Sequence, residues 1–324
     1  MSVPTQVRVG RATACLLARQ AAKGTIATVF TGASATTLRR SEDLIPIERP
    51  WSEDDDCMTS TGVAETAARF RLPEAPAGSV RAHCTPASAR FLLRNNFGSS
   101  TYAIVSQVPA TEWLTLAYID DTATGATQNL VRVRDVWFHR VTITSDTPTG
   151  FVEIVGDYAG IATAVQALNA GGVTLPAAPM AASDNNVFAP GDVTFVRDPA
   201  ALNVEIPQIS HLEIEFDQRL GTMWDMMSQQ QEVWKAGLLR ARVRMRGTVG
   251  DETWAILTDS RAGTKRRFTA TFTATVPTTT LTVDLREVAF VFDGMRRHGQ
   301  GKVDFDCTGS AYSDGTDSVA VTLA

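Results

Sequence analysis

The chain has 324 residues, 44% hydrophobic and 20% charged, with a formal net charge of −5 and a pI near 5.5. That acidic balance argues against a general nucleic-acid binder, which carries a basic stripe and a high pI. No run of ~18 apolar residues occurs, so no membrane span is expected, and the length leaves room for two cores because one core rarely grows much beyond ~250 residues.

The chain opens Met1-Ser2-Val3-Pro4-Thr5-Gln6-Val7-Arg8, and its first apolar stretch, Ala12 to Ala18, is short and followed by Arg19 and Lys23. A secretory leader needs a longer apolar core, so synthesis in a cytosol is expected. Residues 1–60 show little periodicity and are expected to form an extended or loop segment. Within them Trp51-Ser52-Glu53-Asp54-Asp55-Asp56-Cys57 is an acidic run. It offers ligands for a cation, but without glycine-anchored calcium-loop spacing a solvated loop is the expectation. Cys15, Cys57, Cys84 and Cys307 lie far apart with no C-x-x-C pair, so buried reduced thiols are expected.

Further along, a period of two marks strand after strand. Trp113 to Ile119 is strand-rich. In Val152 to Tyr158, Val152, Ile154 and Tyr158 form one face and Glu153 and Asp157 the other. Ile161 to Asn169, closed by Gly171, reads as a short helix. Residues 171–198, with Gly171, Gly172, Pro176, Pro179 and Ser183-Asp184-Asn185-Asn186, read as a linker. In His211 to Asp217 the apolar set is Leu212, Ile214 and Phe216, opposite His211, Glu213, Glu215 and Asp217. A second helix is expected from about Met223 to Ala236, closed by Gly237, with Trp224, Met227 and Trp234 as anchors.

Leu239 to Gly247 alternates without a slip and displays Arg240, Arg242, Arg244 and Arg246 on one side. Such a row is either a contact surface for a partner or a solvated sheet face. Phe268 to Val276 alternates apolar residues with threonines. In Leu281 to Phe292 the apolar parity changes near Glu287, the mark of a bulge or bend. Sheets with one polar face of this kind are mostly antiparallel, so the class is mainly β.

One motif occurs twice. Arg134-Asp135-Val136-Trp137-Phe138 precedes Gly150-Phe151-Val152-Glu153-Ile154, with Gly156 beyond; Arg286-Glu287-Val288-Ala289-Phe290 precedes Gly301-Lys302-Val303-Asp304-Phe305, with Gly309 beyond. Residue types, order and separation are shared, which implies a tandem duplication of one β-unit carrying a short helix. The expected division is an N-terminal segment 1–60, a first β-domain 61–170, the linker 171–198 and a second β-domain 199–324.

Motifs for catalysis are missing: the sequence has no G-x-S-x-G elbow, phosphate loop, H-E-x-x-H or dinucleotide fingerprint. His139 and His211 fall on predicted strands, where a structural role is the ordinary one. Glu213 and Glu215 share a face, as an acid and base pair must, yet alternating acids on a strand usually form a charged surface. No enzyme, cofactor or metal is expected.

The layout resembles the major tail tube proteins of long-tailed bacteriophages in their duplicated-domain form. The similarity rests on Val136 to Ile143 with Phe151 to Gly156, on Phe188-Ala189-Pro190-Gly191-Asp192-Val193 leading to Ile209 to Ile214, and on Gln20-Ala21-Ala22-Lys23-Gly24-Thr25. It covers most of residues 20–315 and fits residues 1–60 least. The resemblance implies two sandwich-like or barrel-like tube domains, and rings of three chains with pseudo-sixfold symmetry stacked into a tube that DNA crosses without specific binding. It also implies a virion location after assembly in the host cytoplasm, with tape measure, tail terminator and baseplate or tip proteins as partners. Arg240, Arg242, Arg244 and Arg246 are then candidates to meet carboxylates of a neighbouring subunit. Glu153, Asp157, Glu213, Glu215 and Asp217 are candidates for an acidic lumen. Another virion β-protein, from the minor tail, neck or decoration class, is the alternative.

Overall fold

The computed structural model describes residues 13–39, 42–43, 51–54, 68–71, 76–103, 112–120, 129–147, 150–167, 172–176, 186–198, 204–206, 209–225, 230–275, 278–298 and 302–324. The chain is mainly β, as the alternating patterns require. Its first half runs through β1 (Thr13–Arg19), β2 (Ala35–Thr37), β3 (Glu42–Asp43), β4 (Trp51–Asp54), β5 (Ala68–Arg71), β6 (Ala77–His83), helix α1 (Pro86–Phe97), β7 (Leu114–Asp120), β8 (Asn129–Asp146), β9 (Val152–Ala159) and β10 (Ala162–Ala167). Its second half runs through β11 (Val193–Arg197), β12 (Val204–Glu205), β13 (Ile209–Asp225), β14 (Gln230–Thr248), helix α2 (Asp251–Ala262), β15 (Arg266–Thr275), β16 (Thr278–His298), β17 (Lys302–Ser310) and β18 (Val319–Leu323).

Among the described residues the strands join into one large antiparallel sheet, with β4 and β5 as a separate pair. Strand order in the second half is β12-β11-β15-β16-β17-β14-β13, and in the first half β2-β1-β7-β8-β9-β6-β3. The two orders correspond strand for strand, and so do their registers. Ile143 faces Ile154 where Met295 faces Phe305; Val80 faces Gly156 where Met245 faces Cys307; Asp43 faces Val80 where Leu212 faces Met245. Each half places its helix between corresponding strands, and β10 and β18 flank β8 and β16 alike.

The repeated motif marks a bulge common to both halves. Opposite β7, the register jumps from Leu114↔Val136 to Leu116↔Val133; opposite β15, it jumps from Arg266↔Val288 to Phe268↔Leu285. The motif's acidic residue absorbs the extra length by entering the left-handed region, at φ 52° for Asp135 and 42° for Glu287. Asp135 is held there by Gly24 N–H donating to its carboxylate at 2.7 Å. The bulge bends each long strand, so that β8 and β16 pair different neighbours before and after it. Gly156 and Gly309 permit close packing beside the motif phenylalanines: a Cβ would stand 2.5 Å from Phe138 and 2.8 Å from Phe290.

The core fills the inner face of this bent sheet with Val141, Ile143, Ile154, Ile214, Phe216 and Val243 among many others. Burial of their apolar surface supplies the main driving force, at roughly 25 cal/mol per Å².

Four expectations change. Ile161–Asn169 is not a helix: Ala162–Ala167 is β10, laddered onto β8 from Ala162↔Arg134 to Ala167↔Asn129. Met223–Ala236 is not a helix either, because the ends of β13 and β14 cross it as a hairpin closing near Asp225↔Gln230. Residues 13–19, expected in the N-terminal loop segment, form β1 with Leu16, Leu17 and Ala18 fully buried, and β11 lies within the expected linker. The two α-helices among the described residues are α1 and α2. Trp51–Asp54 of the acidic run is backbone of β4; its remainder, with Cys57, lies outside the described residues. Cys84 and Cys307 are buried free thiols, and Cys15 is buried as well.

Candidate assembly surface

Seven strands lie side by side in the order β6-β9-β8-β13-β14-β17-β16, and the face opposite the core carries the charges. The junction in the middle of this series joins the halves. There β13 of the second half pairs with the distal part of β8, from His211↔Asp146 through Ile214↔Ile143 to Asp217↔Arg140.

Every candidate residue from the sequence falls on this one face. The arginine row and the acidic rows were expected on different surfaces; the ladder instead sets them in direct opposition, as Glu213↔Arg244, Glu215↔Arg242 and Asp217↔Arg240. Arg242 lies 3.6 Å from Glu215, Arg244 donates to Asp306 at 2.8 Å, and Arg246 donates to the same carboxylate at 2.9 Å. Arg240 is exposed. Within the first half Arg140 donates to Asp157 at 2.7 Å, and Arg81 pairs with Glu153. The carboxylates that the arginines meet therefore belong to strands of the same chain. The face is a lattice of alternating charge with neither sign in excess, in contrast to separate basic and acidic strips.

Titration follows from these contacts. The guanidinium of Arg244, then that of Arg246, holds Asp306 below the usual carboxylate range. Burial pushes Glu215 up, against the pull of Arg140 and Arg242. His139 is pushed down, chiefly by burial. Glu213 and Glu215 do share a face, yet each stands opposite an arginine, which suits a charged lattice better than proton transfer. An open groove of about 540 Å³ ends this surface at β16, lined by Arg244, Arg246, Arg296, Lys302, Asp304 and Asp306 among others. Among the described residues no cluster of three or more His, Cys, Asp or Glu side chains could hold a metal ion. No helix among them is long and apolar enough to cross a membrane.

Sequence reasoning missed the strand edges. Among the described residues, β16 beyond Val288 pairs on one side only, with β17, whereas the corresponding part of β8 is paired on both sides, by β9 and β13. The duplicated motif announces two similar strands, but nothing local in it says which of them lies open. Compared with known proteins, the chain matches no family model and no curated protein.

Proposed function

We propose that this chain is a structural, non-catalytic virion protein of the tail-tube kind, whose copies close into rings that stack into a conduit for DNA. The observation that carries this reading is the β8–β13 junction: two units with one strand order stand edge to edge in one sheet, as neighbours in a ring must. Three such chains give a ring of six units. The helices and core lie on one side of the sheet, so the charged lattice faces the bore. Arg240, Arg242, Arg244 and Arg246 then line the bore together with Glu153, Asp157, Glu213, Glu215 and Asp217. Arg242, Arg244 and Arg246 are already engaged by carboxylates and have little left to offer phosphates, so DNA passes with little of the counterion release that would hold it. Tape measure, terminator and tip proteins would meet the ends of such a tube, assembled in a host cytoplasm.

Negative-stain microscopy and native mass measurement of the purified chain test this. Stacked rings of three 34.9-kDa chains are expected. Six chains per ring would sink the pseudo-sixfold reading, and a monodisperse monomer at high concentration would favour a neck or decoration role.

A further inference from the structure

The two halves differ in what covers them. In the first, the distal part of β8 is closed by β13, and Phe97 of α1 packs edge-on against Phe216 of that strand, with centroids 5.5 Å apart. In the second, the corresponding stretch of β16 has no strand on that side among the described residues, Val291 is 65% exposed, and Phe292 and Met295 are only half-buried. The helices repeat the contrast. Ala89, Leu93 and Phe97 form an i, i+4, i+8 stripe that is fully buried; the matching stripe of α2, Trp254, Thr258 and Ala262, is exposed, with Trp254 at 54%. Among the described residues the second half thus lacks the strand that pairs the distal part of β8 in the first.

The strand corresponding to β13 is β3, at the far end of the first half. Its backbone at Glu42 and Asp43 pairs β6 on one side, and no other pairing is present among the described residues. We propose that the open edge of β16 takes β3 of a second copy of this chain, in the register that β8 and β13 already use within one copy. That register is fixed by the repeat: Ser145↔Leu212 becomes Arg297↔Asp43, and Asp146↔His211 becomes His298↔Glu42. Both new pairs join residues of opposite or complementary charge, and cross-strand pairs of that kind favour one register. The contact is heterologous, since the open edge and the donated strand lie at opposite ends of the chain, so it repeats head to tail and closes when the rotation allows. It also joins two strand edges that have no partner among the described residues, and unpaired edges invite uncontrolled pairing.

This inference rests on the ring reading above, and the test separates the two. Arg297→Cys and Asp43→Cys are made singly in the full chain, mixed at assembly concentration and oxidised with copper phenanthroline. Directly opposed strand residues lie about 5 Å apart at Cβ, within reach of a disulfide. A covalent dimer from the mixture, at least about tenfold above either variant alone, is expected, as is a ladder of multimers from the double variant. Rings in the micrographs without that dimer overturn the edge pairing and leave the tube reading standing. The dimer without rings keeps the pairing and removes the tube. Equal dimer from Arg297→Cys alone shows a two-fold contact and overturns the proposal. Arg297→Asp checks the register separately: it weakens association at least about tenfold, and Asp43→Arg in the same chain restores it. Failure of that rescue in chains with unchanged circular dichroism also counts against the register.

Discussion

Helices α1 and α2 have equal length and corresponding places in the fold, yet nine residues of α1 are buried and only two of α2. α1 packs against β8, β9, β2 and β16, whereas α2 packs chiefly against β16. β13 brings Phe216 against Phe97 in the first half, and no strand among the described residues takes the corresponding place in the second half. One strand order thus occurs in two settings among the described residues, with the added strand in the first half and without it in the second.

The most forceful way to break this comparison is to truncate Phe97. The ring is fully buried against Phe216, so Phe97→Ala should cost about 3–5 kcal/mol in urea unfolding of the unassembled chain. Trp254→Ala, on the exposed stripe of α2, should cost under about 0.5 kcal/mol in the same assay. Similar losses in both variants would mean that α2 is already covered.

Polar anchoring of the two helices sharpens the contrast. Asn95 donates to the carbonyls of Glu112 and Val136 and accepts from Phe138 N–H at 2.7 Å, which ties α1 to the bulge from both of its sides. In α2 the corresponding residue, Ser260, makes one bond, to the Phe290 carbonyl at 2.6 Å. Asn95→Ala leaves three buried backbone groups without this partner and should cost about 2–4 kcal/mol, against about 1 kcal/mol for Ser260→Ala. Thermal denaturation of the two variants side by side checks the ratio, and equal shifts would remove the asymmetry.

Two glycines that do not correspond in register, Gly156 and Gly309, pack alike against the motif phenylalanines, so their effects should be alike. A methyl group at Gly156 would meet Phe138 and Leu92, and one at Gly309 would meet Val288 and Phe290, all under 3.0 Å. Gly156→Ala and Gly309→Ala should each destabilise by about 1–3 kcal/mol through overpacking. A neutral result at either site would show that its phenylalanine can move aside.

Much of this was legible in the alternation. The strands at 152–158, 211–217, 239–247 and 268–275, the bulge at Glu287 and the duplicated motif all follow from periods of two and one slip in parity. The helices did not come through. Ala162-Thr163-Ala164-Val165-Gln166-Ala167 suits a helix or a strand locally, and a ladder to β8, some thirty residues earlier, decides the matter. Conversely, α1 carries boundary signals that outweigh its weak amphipathicity: Thr85 caps Ser88, Pro86 takes the first turn and Gly98 closes the end at φ 77°. In the candidate surface, each strand's charged side could be read from its own sequence. Which strands are neighbours could not, and that alone decides that Arg242 meets Glu215 within one chain.

Two carboxylates on the charged lattice provide the smallest and most discriminating test, because one lies within the second half and the other at the junction. Asp306 is held below its ordinary value of 3.8 by Arg244 and Arg246, so its charged form favours the folded chain. That contribution is complete above the ordinary value and is lost as the pH falls through the lower, folded one. Glu215, on β13 where it crosses β8, is pushed above its ordinary 4.5 by burial, so its charged form opposes folding and its protonation on acidification relieves the cost. Asp306→Asn should therefore lower stability at neutral pH and flatten its decline below about pH 4, whereas Glu215→Gln should leave it equal or slightly raised at pH 7. Both effects should stay within about 0.5 kcal/mol, since water screens these partly exposed pairs. Urea unfolding midpoints from pH 7 to 3 measure them, and changes of the same sign in the two variants would mean that the junction holds its carboxylate no differently from the rest of the sheet.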